Sequence, residues 1–318
     1  MKTVAKLLLL VVVLVAVGAV VMRREPIWSD RQLTHLGLLV ARVQSNYVMT
    51  PEGRVHYYEA EPRIEGGGIP LVLVHGLADR SESWAPMLKR LKKAGFHVYA
   101  PDLLGYGRSP QPGDSDYSIP TQEKFVTDFI QSLGLQKTDI GGWSMGGWVT
   151  LKLAMDHPDM IDRVVVYDTA GITMKVDDPA IFHPESEADV NKLFAKMEPG
   201  IVLPHYVTRD LLKVLQEQQW VVDRGMNSML AGKDVLDKDL PNLKEPLLIV
   251  WGKNDQLTPL SVGEGIHAML PGSELDVLEG CGHLSPKVCS ARTASATADF
   301  LKANPVPPGG VRTLTKMQ

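Results

Sequence analysis

Short apolar runs alternate along the chain with segments whose apolar residues recur at helical spacing. Residues 71–74, 164–167 and 246–251 are each continuously apolar, which is typical of strands buried on both faces. Residues 148–156 instead place apolar side chains three and four positions apart, as the inner side of a helix requires. This alternation predicts an α/β fold in which a mostly parallel central sheet is flanked by helices.

The alternation stops in residues 171–240. This stretch consists mostly of amphipathic helical pieces that are separated by prolines. The strand pattern resumes at Pro246. We therefore predict that residues 171–240 form a helical cap inserted between two parts of the core, residues 55–170 and 241–303.

The N-terminal residues form a separate hydrophobic segment. Residues 7–22 are apolar or small and uncharged, and basic residues flank them on both sides. A helix needs about 20 residues to cross the hydrocarbon core, and counting from Val4 makes this segment long enough. We predict that residues 1–24 form an uncleaved hydrophobic helix that anchors the protein in a membrane. The alternative is a signal peptide that is cleaved on export.

Two further segments lie outside the predicted core. Residues 25–54 are a juxtamembrane segment, and between positions 27 and 43 their apolar side chains have the spacing of an amphipathic helix. Such a helix either lies in the bilayer interface, with Trp28 at headgroup depth, or packs on the protein's own surface. Residues 304–318 begin with a stretch rich in proline and glycine, which predicts a flexible tail.

Composition narrows the function classes. The chain has 318 residues, 44% of them hydrophobic, so it can bury a large core. Its formal net charge of -4 gives no reason to expect nucleic-acid binding. Cys281 and Cys289 form no zinc pattern; we expect free buried thiols, although the two could pair in an oxidising compartment. Nothing in the pattern indicates a metal, a cofactor or an oligomeric state.

The main candidate for chemistry is Ser144. It lies in Gly142-Trp143-Ser144-Met145-Gly146, which fits the pattern G-x-S-x-G. A short strand-like stretch precedes the motif and a helical one follows it, as a nucleophile elbow requires. We therefore predict that Ser144 is a catalytic nucleophile.

A serine nucleophile needs a base, and the base needs an acid to orient it. His283 follows the predicted strand 275–278 on a glycine-rich loop, where the general base of this architecture belongs. Asp255 lies just beyond the strand that ends at residue 251 and is our preferred acid. Asp168 also follows a strand and is the rival.

The same pattern predicts oxyanion donors and pocket residues. The backbone N–H of Met145 follows the serine, and that of Leu77 lies in the loop after the strand 71–74. Further residues near the motifs or in the cap are candidates for substrate contact: Trp143, Met174, Trp220 and Leu284.

Several motifs together resemble the α/β-hydrolase superfamily over residues 55–302. They are His75-Gly76, residues 101–109, the serine elbow, residues 251–255 and Gly282-His283. Within the superfamily the chain is similar to the membrane-anchored monoacylglycerol lipase and bacterial lipase-esterase branch. The resemblance implies hydrolysis of a small-molecule or lipid ester through an acyl-enzyme, without a cofactor.

Two alternatives remain on the same fold. Carbon–carbon bond hydrolases of ring-cleavage products share the triad, but they usually carry Asn before the serine and Trp after the histidine. This chain has Trp143 and Leu284 at those positions. The other alternative is a non-catalytic binding protein at a membrane, although such a protein does not need to keep all three of Ser144, Asp255 and His283.

Overall fold

A nine-stranded sheet forms the centre of the computed structural model, which describes residues 18–315. The strands run in the order β1-β2-β4-β3-β5-β6-β7-β8-β9. The pairs β1–β2 and β2–β4 are antiparallel, and every later pair is parallel. The strand bounds are β1 Gln44–Thr50, β2 Gly53–Ala60, β3 Ile69–Val74, β4 Phe96–Pro101, β5 Thr138–Trp143, β6 Ile161–Tyr167, β7 Leu247–Gly252, β8 Glu274–Leu278 and β9 Gly310–Leu314.

Helices cover both faces of this sheet. The helices that we number are α1 Pro26–Val40, α2 Ala85–Lys93, α3 Ile119–Ser132, α4 Met145–Asp156, α5 Glu187–Met197, α6 His205–Glu217, α7 Gln219–Leu230, α8 Leu260–Met269, α9 Ser285–Val288 and α10 Ser290–Lys302. Along β3, Leu71 and Leu73 join the core on the side of α2 and α10, whereas Val72 and Val74 join the core on the side of α3 and α4. Since alternate side chains point to opposite faces, a strand buried on both sides must be continuously apolar.

Helices α5, α6 and α7 lie in residues 171–240, between β6 and β7. We call these residues the helical insertion. The first turn of α1 is fixed to it, because the Ile27 N–H donates to the buried Asp210 carboxylate of α6 at 2.9 Å. A carboxylate at a helix N-terminus satisfies a free N–H and complements the helix dipole.

The C-terminal segment differs from the prediction. We expected little order in residues 304–318, but Gly310–Leu314 is strand β9 and pairs in parallel with the whole of β8. Arg312 also donates to both carboxylate oxygens of Asp276, from Nε at 2.7 Å and from Nη2 at 2.6 Å. The open edge of β8 supplies backbone partners that composition alone does not reveal.

The two cysteines also differ from the prediction of free thiols. Cys281 and Cys289 form a disulfide, with their Cα atoms 6.2 Å apart. The short helix α9 lies between them and turns the chain back, which brings the two Cα atoms within the distance a disulfide can bridge.

The N-terminal prediction falls largely outside the described residues. Residues 18–24 are helical and lead into α1. Among residues 18–315, no helix combines the length and the apolar character that crossing a bilayer requires.

Candidate active site

Ser144 occupies the sharp turn between β5 and α4. Its backbone angles are φ 56° and ψ -123°, a conformation that costs a non-glycine residue about 1–3 kcal/mol. Every other residue from position 141 to 150 is buried, while Ser144 is partly exposed. The turn therefore presents the serine side chain to solvent at the end of the sheet.

The glycines of the motif are required by close packing of backbone at this turn. A Cβ on Gly142 would clash with the carbonyl oxygen of Gly146, and a Cβ on Gly146 would clash with that of Val74. A Cβ on Gly76 would lie 3.1 Å from the Cβ of Ser144. Any side chain at positions 142 or 146 would push β3 and α4 away from the turn.

His283 and Asp255 form a buried pair close to this turn. His283 Nδ1 lies 2.7 Å from Asp255 Oδ2, and both residues are almost fully buried. An ionised carboxylate only accepts, so the proton lies on Nδ1 and the Nε2 lone pair is available as a base.

The Asp255 carboxylate is itself held in place. Its Oδ1 accepts the backbone N–H of Leu257 at 2.8 Å and that of Thr258 at 3.0 Å. The Thr258 hydroxyl donates to Oδ2 at 2.7 Å. These bonds leave the acid a single orientation, toward the imidazole.

Charges around His283 favour the imidazolium. Burial alone would lower the pKa of His283, but the charge and hydrogen bond of Asp255 raise it above its ordinary value, and the charge of Glu198 adds to this effect. The environment therefore stabilises the protonated ring that forms when a base accepts a proton.

Asp168, the rival acid, has different partners. Its Oδ1 accepts the Gly252 N–H at 2.6 Å, and its Oδ2 accepts the hydroxyl of Ser285. Complete burial, followed by the charge of Asp255, raises its pKa well above the usual range. Asp168 thus joins the end of β7 to the start of α9, while its carboxyl makes no hydrogen bond to His283.

The loop after β3 is fixed by His75. Leu103 N–H donates to His75 Nε2 at 3.0 Å, so Nδ1 carries the proton and donates to the Gly76 carbonyl at 2.8 Å. Burial lowers the pKa of His75, in agreement with a neutral ring. The loop holds Leu77 beside the serine turn, and the backbone N–H groups of Leu77 and Met145 donate to no residue within the described 18–315.

The end of α5 contacts both loops that carry the histidine and the acid. His283 N–H donates to the Met197 carbonyl at 2.6 Å, and Gln256 N–H donates to the Lys196 carbonyl at 3.0 Å. The Glu198 carboxylate accepts the Gly282 N–H at 3.2 Å. The sequence pattern did not indicate these contacts, because they join positions more than fifty residues apart.

The four predicted pocket residues do not share one environment. Trp143 is buried in the core, where its ring packs edge-on against Trp84 and its Nε1–H donates to the His283 carbonyl at 2.8 Å. It therefore supports the histidine loop, and its contact with substrate stays a prediction. Leu284 is also buried in that core.

The two predicted pocket residues in the helical insertion are more accessible. Met174 is partly buried against the opposite core. Trp220 is exposed, with its ring 5.6 Å from that of Tyr117 and the Arg224 guanidinium 5.2 Å from its centre. For all four residues, contact with substrate stays a prediction.

Comparisons with known proteins identify the class to which this fold and site belong. The profile of the alpha/beta hydrolase fold family matches residues 69–230, slightly more than half of the chain. The chain belongs to this family, as its motifs indicated.

Particular relatives then divide between two chemistries. Lipase 1 of Psychrobacter immobilis is 26% identical over 249 residues, which cover 74% of this chain and 76% of the lipase. The 2-hydroxymuconate semialdehyde hydrolase of Pseudomonas sp. (strain CF600) is 26% identical over 262 residues, covering 74% and 88%. A membrane phospholipase A described as a bacterial virulence factor superposes with a TM-score of 0.78 over 95% of this chain and 98% of its own, at 24% identity. This likeness shows the shared fold.

Proposed function

We propose that this protein is a serine hydrolase that cleaves carboxylic esters of lipid-like molecules through an acyl-enzyme. Ser144 is the nucleophile, His283 the general base and Asp255 the residue that orients and stabilises His283. The observation that carries the proposal is the combination of a strained, accessible Ser144 with a buried His283–Asp255 hydrogen bond of 2.7 Å.

The first half-reaction forms the acyl-enzyme. His283 Nε2 accepts the Ser144 hydroxyl proton as Oγ attacks the ester carbonyl carbon. The oxygen that becomes negative accepts hydrogen bonds from the backbone N–H groups of Leu77 and Met145. The tetrahedral intermediate then breaks its bond to the alcohol, which leaves with the proton from His283.

The second half-reaction repeats these steps with water. His283 removes a proton from a water molecule, and the resulting hydroxide attacks the acyl carbon. The new intermediate expels Ser144 Oγ, which takes the proton back from His283. The products are a carboxylic acid and the free enzyme.

The lipid-like substrate class rests on three supports. One relative is named a lipase and one neighbour in structure a membrane phospholipase A. Met174 and Trp220 place apolar surface in the helical insertion. The uncharged residues 7–22 are proposed to hold the enzyme at a membrane, where such substrates are concentrated.

Carbon–carbon bond hydrolysis is the second candidate, because a relative that matches over 88% of its length is named a semialdehyde hydrolase. It would use the same Ser144 and His283. Rates on p-nitrophenyl esters of graded chain length, on monoacylglycerol and on a ring-cleavage product separate the two activities.

The role of Ser144 is tested by replacing it with alanine. Ser144→Ala should lower kcat on the best ester by a factor on the order of 10⁴ or more, because the acyl-enzyme cannot form. A fluorophosphonate should label the wild type at Ser144 and leave the variant unlabelled. Ser295→Ala, which alters an exposed serine on α10, should keep full activity and labelling. Persistent labelling of Ser144→Ala contradicts the assignment.

A further inference from the structure

Helix α1 presents apolar side chains to solvent. Leu33, Leu36 and Val40 follow helical spacing and are 61%, 56% and 77% exposed. Leu39 and Trp28 on the same side are 70% and 53% exposed. We call these five residues the α1 apolar face. A soluble surface rarely leaves so many large apolar side chains together unless something covers them.

The chain that precedes α1 indicates what covers this face. Residues 18–24 are helical, lead directly into α1 and include the exposed Val20 and Met22. The seventeen residues before them continue the uncharged stretch as far back as position 7. Residues 18–24 therefore join the most apolar part of the chain to α1 through a short helix. A surface that binds this apolar part would also lie close to the α1 apolar face.

A basic groove lies beside this face. It has a volume of about 1020 Å³, and its lining residues include Leu36 and Leu39 of the apolar face. Four further residues of the lining are cationic and one is acidic: Arg42, Arg63, Lys92 and Arg108, against Glu61. We call this cavity the basic groove.

Two of these cations already form hydrogen bonds with other residues of the protein. Arg108 Nη2 donates to the Tyr58 hydroxyl at 2.8 Å and also contacts Glu82. Lys92 Nζ donates to the carbonyls of Ala41 and Arg42 at the end of α1, at 3.1 and 2.7 Å. The other two cations are therefore the groups that a ligand could engage.

Arg42 and Arg63 have no such partner: in the part of the chain from 18 to 315, neither forms an ion pair. Burial lowers the pKa of the Lys92 ammonium, and the positive charges of Arg63 and Arg42 lower it further. The groove thus holds cations that repel one another, and a bound anion would stabilise all three.

We propose that α1 lies on the surface of a bilayer that contains anionic phospholipid, with a lipid phosphate in the basic groove beside Arg42 and Arg63. Leu36 and Leu39 border the groove and would contact the lipid's glycerol and upper acyl region. An apolar helix face with adjacent cations is the combination that anionic membrane surfaces bind. The inference rests on the proposed membrane location, but not on the catalytic assignment.

A fluorescent label on α1 tests this position in the full-length chain. Since Cys281 and Cys289 are bonded to each other, an environment-sensitive maleimide labels the introduced thiol of Leu39→Cys. Val311→Cys, exposed on β9 at the opposite edge of the sheet, is the matched control. Both proteins are reconstituted into vesicles of phosphatidylcholine, with or without phosphatidylglycerol, that carry a lipid-bound quencher.

We expect the label at position 39 to be quenched several-fold more than that at position 311, and most strongly with phosphatidylglycerol. The double substitution Arg42→Gln and Arg63→Gln should reduce, about tenfold or more, the extra quenching at position 39 that phosphatidylglycerol causes. The control is Lys233→Gln combined with Lys238→Gln, which removes the same amount of charge from exposed positions of the helical insertion. It should leave the phosphatidylglycerol-dependent quenching unchanged.

Three outcomes overturn the inference. The first is equal quenching at positions 39 and 311. The second is a phosphatidylglycerol response that survives loss of Arg42 and Arg63. The third is the same response produced by inorganic phosphate in phosphatidylcholine vesicles, which would indicate a site for a free anion. If the protein floats with vesicles while position 39 stays unquenched, the inference fails and the proposed membrane location stands.

Discussion

The ends of strands β6 and β7 resemble each other in sequence but differ in structure. Each apolar strand is followed by a fully or almost fully buried aspartate, Asp168 after β6 and Asp255 after β7. Asp255 is hydrogen-bonded to His283, whereas Asp168 accepts from Gly252 and Ser285. Two carboxyl groups at the same edge of the sheet therefore have separate tasks.

Their distance from the strand explains the difference. Asp168 directly follows β6 with φ 43°, and its carboxyl is turned toward the neighbouring strand end. Asp255 lies three residues beyond β7, where its own loop supplies the Leu257 and Thr258 N–H groups that orient it. An aspartate that follows a strand can thus be predicted to lie at the carboxyl edge of the sheet. The geometry of its loop then determines which group its carboxylate contacts.

Of the three carboxyl groups near His283, Asp255 should show the largest effect when its charge is removed. Asp255→Asn should lower kcat on a p-nitrophenyl ester by about 10³–10⁴-fold, because the amide no longer stabilises the imidazolium or fixes the proton on Nδ1. Steady-state rates measure the loss, and a thermal unfolding curve checks that the variant is folded. If Asp255→Asn lowered kcat less than Asp168→Asn does, Asp168 and not Asp255 would be the acid that orients His283.

Asp168→Asn should cost about tenfold or less in kcat, since the amide can still accept the Gly252 N–H and bond Ser285. Its main effect should be on stability. Because the folded pKa of Asp168 is raised, the native protein keeps a proton that the unfolded chain loses above about 3.9. The stability from this proton is complete below that pH and is lost as pH rises through the folded pKa.

Denaturant titrations at several pH values test this sign. The free energy of unfolding of the wild type relative to Asp168→Asn should decrease as pH rises above about 4, the ordinary value for aspartate. Asp156→Asn, a change on the surface end of α4, provides the control without such a trend. A wild-type advantage that grows with pH would contradict a protonated Asp168.

Local sequence patterns were sufficient to predict the features that depend on residues close together in the chain. The glycines around Ser144 and the apolar runs of β3, β6 and β7 predicted the elbow and the central strands. Asp255 and His283 could be proposed because each follows a strand whose carboxyl end lies at the same edge.

Contacts between distant segments were not predictable in this way. Pairing of β9 with β8 depends on an open sheet edge, and the composition around Pro305 indicated the opposite. Glu198 reaches Gly282 only because α5 ends above the histidine loop. The sequence also did not indicate that the indole N–H of Trp143 donates to the His283 carbonyl.

The smallest expected effect concerns Glu198, the third carboxyl near His283. Its charge helps to raise the pKa of His283, so Glu198→Gln should lower that pKa while the amide oxygen still accepts the Gly282 N–H. The base must be unprotonated, so the acidic limb of the kcat/KM profile should move to lower pH. The plateau should change about twofold at most.

Glu185→Gln is the control for this shift, because Glu185 is an exposed carboxylate just before α5. Removing that charge should leave the acidic limb in place, since solvent screens an exposed charge. A limb that moves equally in both variants would mean that net charge, and not the position of Glu198, sets the pKa of His283. If the acidic limb moves only in Glu198→Gln, the role of Glu198 differs from those of Asp168 and Asp255. Glu198 then affects the pKa of His283 without orienting its ring.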